Sequence, residues 1–401
     1  MNKKAILTPE HQFLLECGRF IQGGDTAPTG AVPPPDLEWE RLLQAARRNR
    51  LTAQLYRCVT PHKDRVPEAA WAALESRARA IEHKNAIVSR ELLRLNEQFL
   101  AAGCPMLPYK GPVLAVLAYG DLALRQFSDL DLLIPRRAIH DAARLLESAG
   151  YSLHHRSQRS ADAVYLGTEY HYLYRHPETG IAVELHGEAI PCYFSFPLTN
   201  DELWERQEAY TLLGQQIASI SREDLALLLS MHGAKHEWEC AELALSLACM
   251  LRASPDLDWE ALLARADSLG ARRVLLLGIS LAWELFGYCP PAPVRAAIGA
   301  DPVLERLTGE VWEYFLGIRK PGTSALQTAL FQVRSRERLR DRVSYWLLRI
   351  FAPNWEEMEW LPLPRSLFPL YWVLRPIRLV WHYTPEVLGL APPRAATRGH
   401  H

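Results

Sequence analysis

The feature that most constrains the fold of this chain is a pair of alternating aspartates inside an apolar run. Asp129 and Asp131 lie in residues 127–134, where the other positions are mostly apolar. Aspartate is depleted from β-strands, and alternation along a strand places both side chains on one face of a sheet. Neighbouring carboxylates repel each other unless a cation lies between them, and Mg²⁺ prefers such oxygen ligands. The pattern therefore predicts a strand that carries a divalent-cation site.

A glycine turn lies eight residues before this strand. Gly120 and Asp121 follow an apolar segment that predicts a helix through residue 120. Backbone N–H groups at a turn of this kind can face a phosphate. A divalent cation next to a phosphate-binding turn indicates a site for a Mg²⁺–nucleotide complex.

The surrounding segments predict a small mixed sheet with helices. Strands and helices are expected to alternate at residues 105–110, 111–120, 127–134, 137–148 and 151–155. Residues 176–180 predict a turn between two further strands, at 170–175 and 181–186. The second of these strands carries Glu184, a third acid in an apolar setting.

These motifs resemble the nucleotidyltransferase superfamily with the polymerase-β-type fold, and more closely a branch of uncharacterised bacterial nucleotidyltransferases. The resemblance rests on Lys110-Gly111, Leu114-Ala115, Tyr119-Gly120-Asp121, Arg125, Asp129-Leu130-Asp131-Leu132-Leu133, the 181–186 strand and residues 232–238. It spans about residues 35–385 and is specific at 109–134 and 181–186. It implies an α+β fold, with a small mixed β-sheet core flanked by N-terminal and C-terminal helical regions.

The resemblance also implies which residues form the site. Asp129, Asp131 and Glu184 would be the catalytic residues and would hold Mg²⁺ or Mn²⁺, and Glu184 would help to deprotonate an acceptor hydroxyl. Nucleotide contacts would come from Lys110, Gly120, Asp121, Arg125, His232, Lys235 and His236. The implied reaction moves NMP from an NTP, with ATP as the expected nucleotide, to a hydroxyl of an unidentified small-molecule, peptide or protein acceptor.

Several positions depart from the pattern of these families. Asp121 replaces the usual serine after the turn glycine, and its carboxylate would repel a triphosphate unless Arg125 pairs with it. Gly187, Cys240 and Ser246 stand where the branch commonly has tryptophan, arginine and aspartate. An alternative function therefore stays open: a catalytically weak or inactive protein that binds a nucleotide or a partner on the same fold.

His232 and His236 are four residues apart, a spacing that puts both on one face of a helix. The spacing would suit zinc, but no third ligand is evident near them in the sequence. We expect these two histidines to cap or line a cleft between the core and the helices that follow it.

The composition indicates which class of partner the protein binds and in which cell compartment it is expected. The net charge of −1 argues against bulk nucleic-acid binding. The seven cysteines are scattered without CxxC spacing, which predicts reduced and mostly buried thiols in a cytoplasmic protein. The N-terminal residues show no apolar signal sequence, and no segment reaches about 18 uncharged apolar residues.

Segments rich in glycine and proline, together with changes in sequence pattern, divide the chain into four regions. We predict an N-terminal helical region at 1–102 with a linker near 24–35, a core at 103–215, a helical domain at 216–350 and a tail at 351–401. Within the first region, residues 67–102 are expected to form two long helices.

The C-terminal region is rich in arginine and aromatic residues. Arginines alternate along residues 334–342, which predicts one helix with a solvated charged face. Residues 345–383 mix aromatics with arginines, and such segments can pack on the protein or contact a membrane surface or a protein partner. Prolines 362, 364, 369 and 376 predict short pieces in place of one continuous amphipathic helix. We favour docking on the protein itself.

Overall fold

The computed structural model describes residues 7–23, 30–154, 171–191, 194, 196–322, 324–353 and 355–387. Its first helices are α1 (Pro9–Gly23), α2 (Trp39–Arg48), α3 (Thr52–Val59) and α4 (Glu68–Ala101), with a 3₁₀ turn at Thr60–Arg65. The expectation of two helices over residues 67–102 is wrong, because α4 is one helix of 34 residues. No glycine or proline occurs within residues 68–101 to interrupt it.

A mixed sheet follows, with five strands in the described residues and the order β1-β2-β5-β4-β3. The strands are β1 (Leu107–Pro108), β2 (Asp129–Leu133), β3 (Ser152–Leu153), β4 (His171–Arg175) and β5 (Ala182–His186). Strands β2 and β5 run parallel, whereas β1 with β2, β3 with β4 and β4 with β5 are antiparallel. Helices α5 (Gly111–Tyr119) and α6 (Ile139–Ser148) connect the first three strands. The predicted α+β fold, with its helical flanks, is confirmed.

The two faces of the central strands differ in polarity. Because side chains alternate along a strand, Leu130 and Leu132 of β2 share one face with Val183 and Leu185 of β5. These four residues are buried in one apolar cluster with side chains from α4 and α6. The opposite face of β2 and β5 carries the acids. The apolar packing on the first face holds both strands in position.

The second half of the described chain is largely helical, as the sequence predicts. After α7 (Asn200–Glu205), a hairpin of β6 (Glu208–Leu212) and β7 (Gln215–Ser219) leads into the helices. These are α8 (Arg222–Lys235), α9 (Ala241–Arg252), α10 (Trp259–Leu269), α11 (Arg272–Phe286), α12 (Ala292–Ala300), α13 (Pro302–Phe315), α14 (Ala325–Ser335) and α15 (Leu339–Phe351). The pairs α8–α11, α9–α11 and α5–α9 are in contact, so the helical region packs against the core.

The prediction of one arginine-lined helix at residues 334–342 is wrong. Helix α14 ends at Ser335 and α15 begins at Leu339, both inside this run, so Arg334 lies in α14, Arg336 and Arg338 lie in a break, and Arg340 and Arg342 lie in α15. Arg336, in the break, is fully buried, and its guanidinium stacks 4.3 Å from the ring centroid of Tyr345 and 4.9 Å from that of Phe194. It also donates to the carbonyl oxygen of Phe194 at 3.1 Å. A charged group with these partners is part of the interior, not of a solvated face.

The tail comprises α16 (Trp355–Trp360), a 3₁₀ segment at Arg365–Leu370 and α17 (Tyr371–Val387). Pro376 lies inside α17, so the expectation that it breaks the chain there is wrong. Proline removes one helical hydrogen bond, but ion pairs of Arg375 and Arg378 with Glu357 hold the helix on both sides of it. Buried residues of the tail also join the apolar cluster of the sheet, namely Met358, Phe368 and Tyr371.

Two further expectations concern cysteines and membrane spans. The described cysteines are free thiols; Cys289 is exposed, and those at positions 17, 58, 104, 240 and 249 are buried. This confirms the prediction of mostly buried thiols for the described positions, and Cys192 lies outside them. No helix in the described ranges combines the length and the apolar character needed to cross a bilayer. Of the linker predicted near 24–35, residues 24–29 lie outside the described chain.

Candidate active site

Two buried carboxylates form the centre of the polar sheet face. Asp131 of β2 is paired in register with Glu184 of the parallel strand β5, so both side chains leave the same face. They are 6% and 3% exposed. Asp129, two residues before Asp131, lies on this face at the start of the strand and is partly exposed. The structure thus brings together the three acids that the sequence singled out.

A lysine balances part of this negative charge. Lys110, the residue before α5, places its Nζ 2.9 Å from Oδ1 of Asp131, and the lysine side chain is only 13% exposed. Burial raises the pKa of Asp131, but the Lys110 ammonium and the neighbouring His186 outweigh burial and hold that pKa well below its usual range. Asp131 is therefore ionised at neutral pH.

Two histidines that the sequence analysis did not assign to the site lie beside the acids. Nε2 of His186 is 3.2 Å from Oδ1 of Asp131 and 3.2 Å from Oε2 of Glu184. Nε2 of His171 is 4.0 Å from the same Glu184 oxygen. Burial lowers the pKa of His186, but its contacts with the two carboxylates outweigh burial and raise it. His186 could have been found from its alternation with Glu184, whereas His171 depends on the register of the β4–β5 hairpin.

A cleft opens beside Lys110, between the core and α8. Its polar lining includes Lys110, Tyr109, His232 and Lys235, and its apolar lining comes from α8 and the segment after β5. His236 follows the end of α8, with its ring centroid 4.6 Å from that of His232. The structure thus brings Lys110, His232 and Lys235 to one cleft.

The end of α8 has an unusual backbone that fixes this wall of the cleft. Glu237 and Trp238 both have φ near +53°, a conformation that costs energy for residues other than glycine. Glu237 is buried and accepts hydrogen bonds from Tyr314 Oη at 3.1 Å and Thr328 Oγ1 at 2.7 Å. The ring of Trp238 packs so closely on Gly233 that a Cβ there would lie 2.5 Å from it. Part of the 232–238 motif is therefore structural.

Asp121 and Arg125 are matched by other partners. Asp121 Oδ1 accepts a hydrogen bond from the Ala123 backbone N–H at 2.8 Å, and the other carboxylate oxygen pairs with Arg57. The arginine that pairs with Asp121 is therefore Arg57, whereas Arg125 pairs with Glu242. Gly120 ends α5 in the left-handed conformation, with φ of +67°.

Arg125 belongs to a buried network between the core and α9. Its Nε is 3.2 Å from Glu242 Oε1 and 3.3 Å from the Ser246 hydroxyl. Ser246 also hydrogen-bonds Tyr119 Oη at 3.0 Å and donates to Glu242. Ser246, one of the departures from the family pattern, thus has a structural role here. Gly187, another departure, accepts a hydrogen bond at its carbonyl oxygen from Asn200 Nδ2 at 2.6 Å.

Paired acids on a small mixed sheet, next to a lysine that also lines a cleft, and helical regions on either side define the class of the nucleotidyltransferase-type fold. The family described as an uncharacterised nucleotidyltransferase matches residues 35–287, which is more than half of the chain. The chain belongs to this family, and the predicted membership of the nucleotidyltransferase superfamily is confirmed. No curated protein and no solved structure matches it.

Proposed function

We propose that this protein is a Mg²⁺- or Mn²⁺-dependent nucleotidyltransferase that moves NMP from an NTP, with ATP as the first candidate, to a hydroxyl of a small-molecule, peptide or protein acceptor. The observation that carries the proposal is the register of β2 and β5, which pairs Asp131 with Glu184 on the same face as Asp129. Family membership supports the general class of reaction.

The donor set fits a hard divalent cation. Asp129 and Asp131 would hold it through carboxylate oxygens, with Glu184 completing the set, and such oxygens are the ligands that Mg²⁺ prefers. When bound, the cation would neutralise phosphate charge and stabilise the attacking and leaving oxygens of an in-line displacement. Lys110 already lies at Asp131, and a buried acid pair needs such compensating positive charge.

The remaining roles combine the family resemblance with the positions of the side chains. The acceptor oxygen would attack the α-phosphorus, the bond from that phosphorus to pyrophosphate would break, and Glu184 would take the acceptor proton. Lys235 and His232, which line the same cleft as Lys110, would bind the triphosphate. Because Asp121 and Arg125 are paired within the protein, we assign them to the support of the site and not to its phosphate contacts.

Calorimetry of ATP binding with and without Mg²⁺ tests the proposal. The wild type should bind ATP only with Mg²⁺ or Mn²⁺, and Asp129→Asn with Asp131→Asn should abolish this binding. Asp64→Asn, an exposed carboxylate on a distant turn, is the matched control and should bind like the wild type. Absence of ATP binding by the folded wild type with either metal would reject the proposal.

A second assay separates an enzyme from a binding protein. With labelled ATP and a panel of hydroxyl acceptors, the wild type should release pyrophosphate and label an acceptor, and the double variant should not. Metal-dependent binding without turnover across the panel would instead favour the alternative of a nucleotide-binding protein without catalytic activity.

A further inference from the structure

We propose that His171, Glu184 and His186 form a binding site for a first-row transition metal ion such as Zn²⁺ or Co²⁺, next to the position that Asp129 and Asp131 offer to Mg²⁺. The inference deepens the proposed function by naming a second metal class at the same sheet face. In the residues that the structure describes, this is the one cluster of three or more potential metal-ligating His, Cys, Asp or Glu side chains.

The distances in the cluster are close to those of a metal site. One donor atom from each of the three residues lies within 4.8 Å of the others. Glu184 Oε2 is 3.2 Å from His186 Nε2 and 4.0 Å from His171 Nε2. Ligands about 2.1 Å from one tetrahedral ion lie roughly 3.4 Å apart. The first pair already has this spacing, whereas His171 would need to approach Glu184 by about half an ångström and His186 by up to about 1.4 Å.

Rigid elements hold the three donors. His171 and His186 are paired across the antiparallel strands β4 and β5, and Glu184 precedes His186 by two residues, so all three leave one face. His186 is 1% exposed and lies edge-on to the ring of Tyr109, with the centroids 5.6 Å apart. Sites built on strands keep their geometry better than sites on loops. Asp131, 3.2 Å from His186, can supply a fourth ligand.

The ligand types decide the class of metal. Mg²⁺ takes oxygen ligands and is seldom bound by imidazole, whereas two histidines and one carboxylate are a set that Zn²⁺ and neighbouring transition metals accept. The polar face thus offers two positions of different chemistry: carboxylates at the start of β2, and imidazoles toward β4. Glu184 lies between them and can contribute to either.

Titration of the nucleotide-free, full-length protein with Co²⁺, followed by visible absorption and calorimetry, tests the inference. The wild type should bind one Co²⁺ with the spectrum of nitrogen and oxygen ligation, and Zn²⁺ should displace it. His171→Gln, a change at a partly exposed residue that should preserve folding, should weaken binding at least about tenfold. His140→Gln, at an exposed position on α6, is the control and should leave binding unchanged.

The outcomes separate this inference from the proposed function. Loss of Co²⁺ binding in His171→Gln supports the inference even if ATP and Mg²⁺ do not bind, in which case only the proposed function fails. Equal Co²⁺ affinity in the wild type and in folded His171→Gln overturns the inference. Metal-dependent ATP binding by the wild type would then leave the proposed function standing.

An independent observation concerns α15 and α17, which pack against each other and turn apolar side chains outward. Leu339 is 74% exposed and Trp381 is 83% exposed. Others at helical spacing on these two helices are also exposed, namely Val343, Leu347, Val373, Ile377 and Val380. We call this set of residues the outer stripe.

The arginines of α17 face the protein, on the side away from its exposed apolar residues. Arg375 is 4% exposed and Glu357 is 0% exposed, and they pair at 2.8 Å beneath the helix. Arg378 pairs with Glu357 as well. A helix of a water-soluble surface normally buries its apolar side and exposes its charges. The described part of α17 packs Tyr371 on the sheet cluster, but it also buries Arg375 and exposes four apolar side chains of the outer stripe, so its outer face suits an apolar environment.

We infer that the outer stripe binds the surface of an anionic lipid membrane. Trp381 belongs to the stripe, and the exposed Trp372 precedes its Val373; tryptophan favours the membrane interface. Arg340, beside Leu339, has a 71% exposed side chain and lies 3.4 Å from Oδ1 of Asp341, whose side chain is 9% exposed. The solvent-facing group of this pair is therefore the guanidinium, which complements anionic headgroups.

Flotation of the full-length protein with vesicles tests this second inference. Wild type should bind phosphatidylglycerol-containing vesicles more strongly than phosphatidylcholine vesicles, and Trp fluorescence should shift to the blue. Combined Val373→Ser, Ile377→Ser and Trp381→Ser should reduce binding at least about tenfold, because three exposed apolar groups are lost. Leu100→Ser, at a 64% exposed residue near the end of α4, is the control. The membrane inference is overturned if the wild type binds neither type of vesicle. It is also overturned if the wild type is a dimer that the triple substitution dissociates.

Discussion

Replacing Arg125 with methionine tests whether this residue is a structural ion pair or a nucleotide contact. The side chains of Arg125 and Glu242 are 10% and 1% exposed, with Nε and Oε1 3.2 Å apart. Opposite charges at this distance attract by roughly 5 kcal/mol at an effective dielectric constant of about 20. Removing two ions from water costs several kcal/mol per ion, so the intact pair adds little net stability. A lone buried Glu242, however, should cost about 3–5 kcal/mol.

The free energy of unfolding in urea, followed by circular dichroism and tryptophan fluorescence, measures this cost. Arg125→Met should lower it by about 3–5 kcal/mol. Adding Glu242→Gln removes the uncompensated charge and should restore at least about half of the loss, since the two residues are coupled. Arg90→Met, at an exposed arginine on α4, should stay within about 0.5 kcal/mol of the wild type.

The reasoning is refuted by either of two results. If Arg125→Met is as stable as the wild type but loses affinity for ATP and Mg²⁺, Arg125 contacts the nucleotide as the family resemblance implies. If the double variant is no more stable than Arg125→Met, the loss does not come from a buried uncompensated carboxylate.

Two further predictions concern packing and pH. Gly233→Ala should lower the free energy of unfolding by about 1–3 kcal/mol in a urea titration, because its Cβ would lie 2.5 Å from the Trp238 ring. Gly309→Ala, in α13 with no atom within 4 Å of the new Cβ, should not destabilise the protein. Lys110→Met should move acid unfolding, followed by circular dichroism, to higher pH. Asp131 has a lowered pKa in the folded state, so it stabilises the fold above its ordinary pKa and loses that effect as pH falls. Without Lys110 the pKa of Asp131 in the folded state rises, and each pKa unit of this rise removes about 1.4 kcal/mol of stability at neutral pH. An unchanged pH midpoint of acid unfolding would contradict this prediction.

The sequence by itself determined the local part of the site. The two-residue period of a strand places Asp129 and Asp131 on one face, and the same period applies to Glu184 and His186. The absence of breakers in residues 68–101 likewise specifies a helix, although the sequence analysis divided it in two. The prediction of acids on an α+β core needed only these short-range rules and the family resemblance.

Tertiary structure decided which charges meet. Arg57, and not Arg125, neutralises Asp121 from α3, and Arg125 pairs with Glu242 on α9. His171 joins the site only through the hairpin register, and Arg336 is buried only because a break in the helices turns it inward. The periodicity of a strand or helix predicts the face on which a side chain lies. An ion pair, however, can form with any opposite charge that the packing of the chain brings near. The choice of partner therefore follows from how distant elements pack and cannot be derived from local pattern.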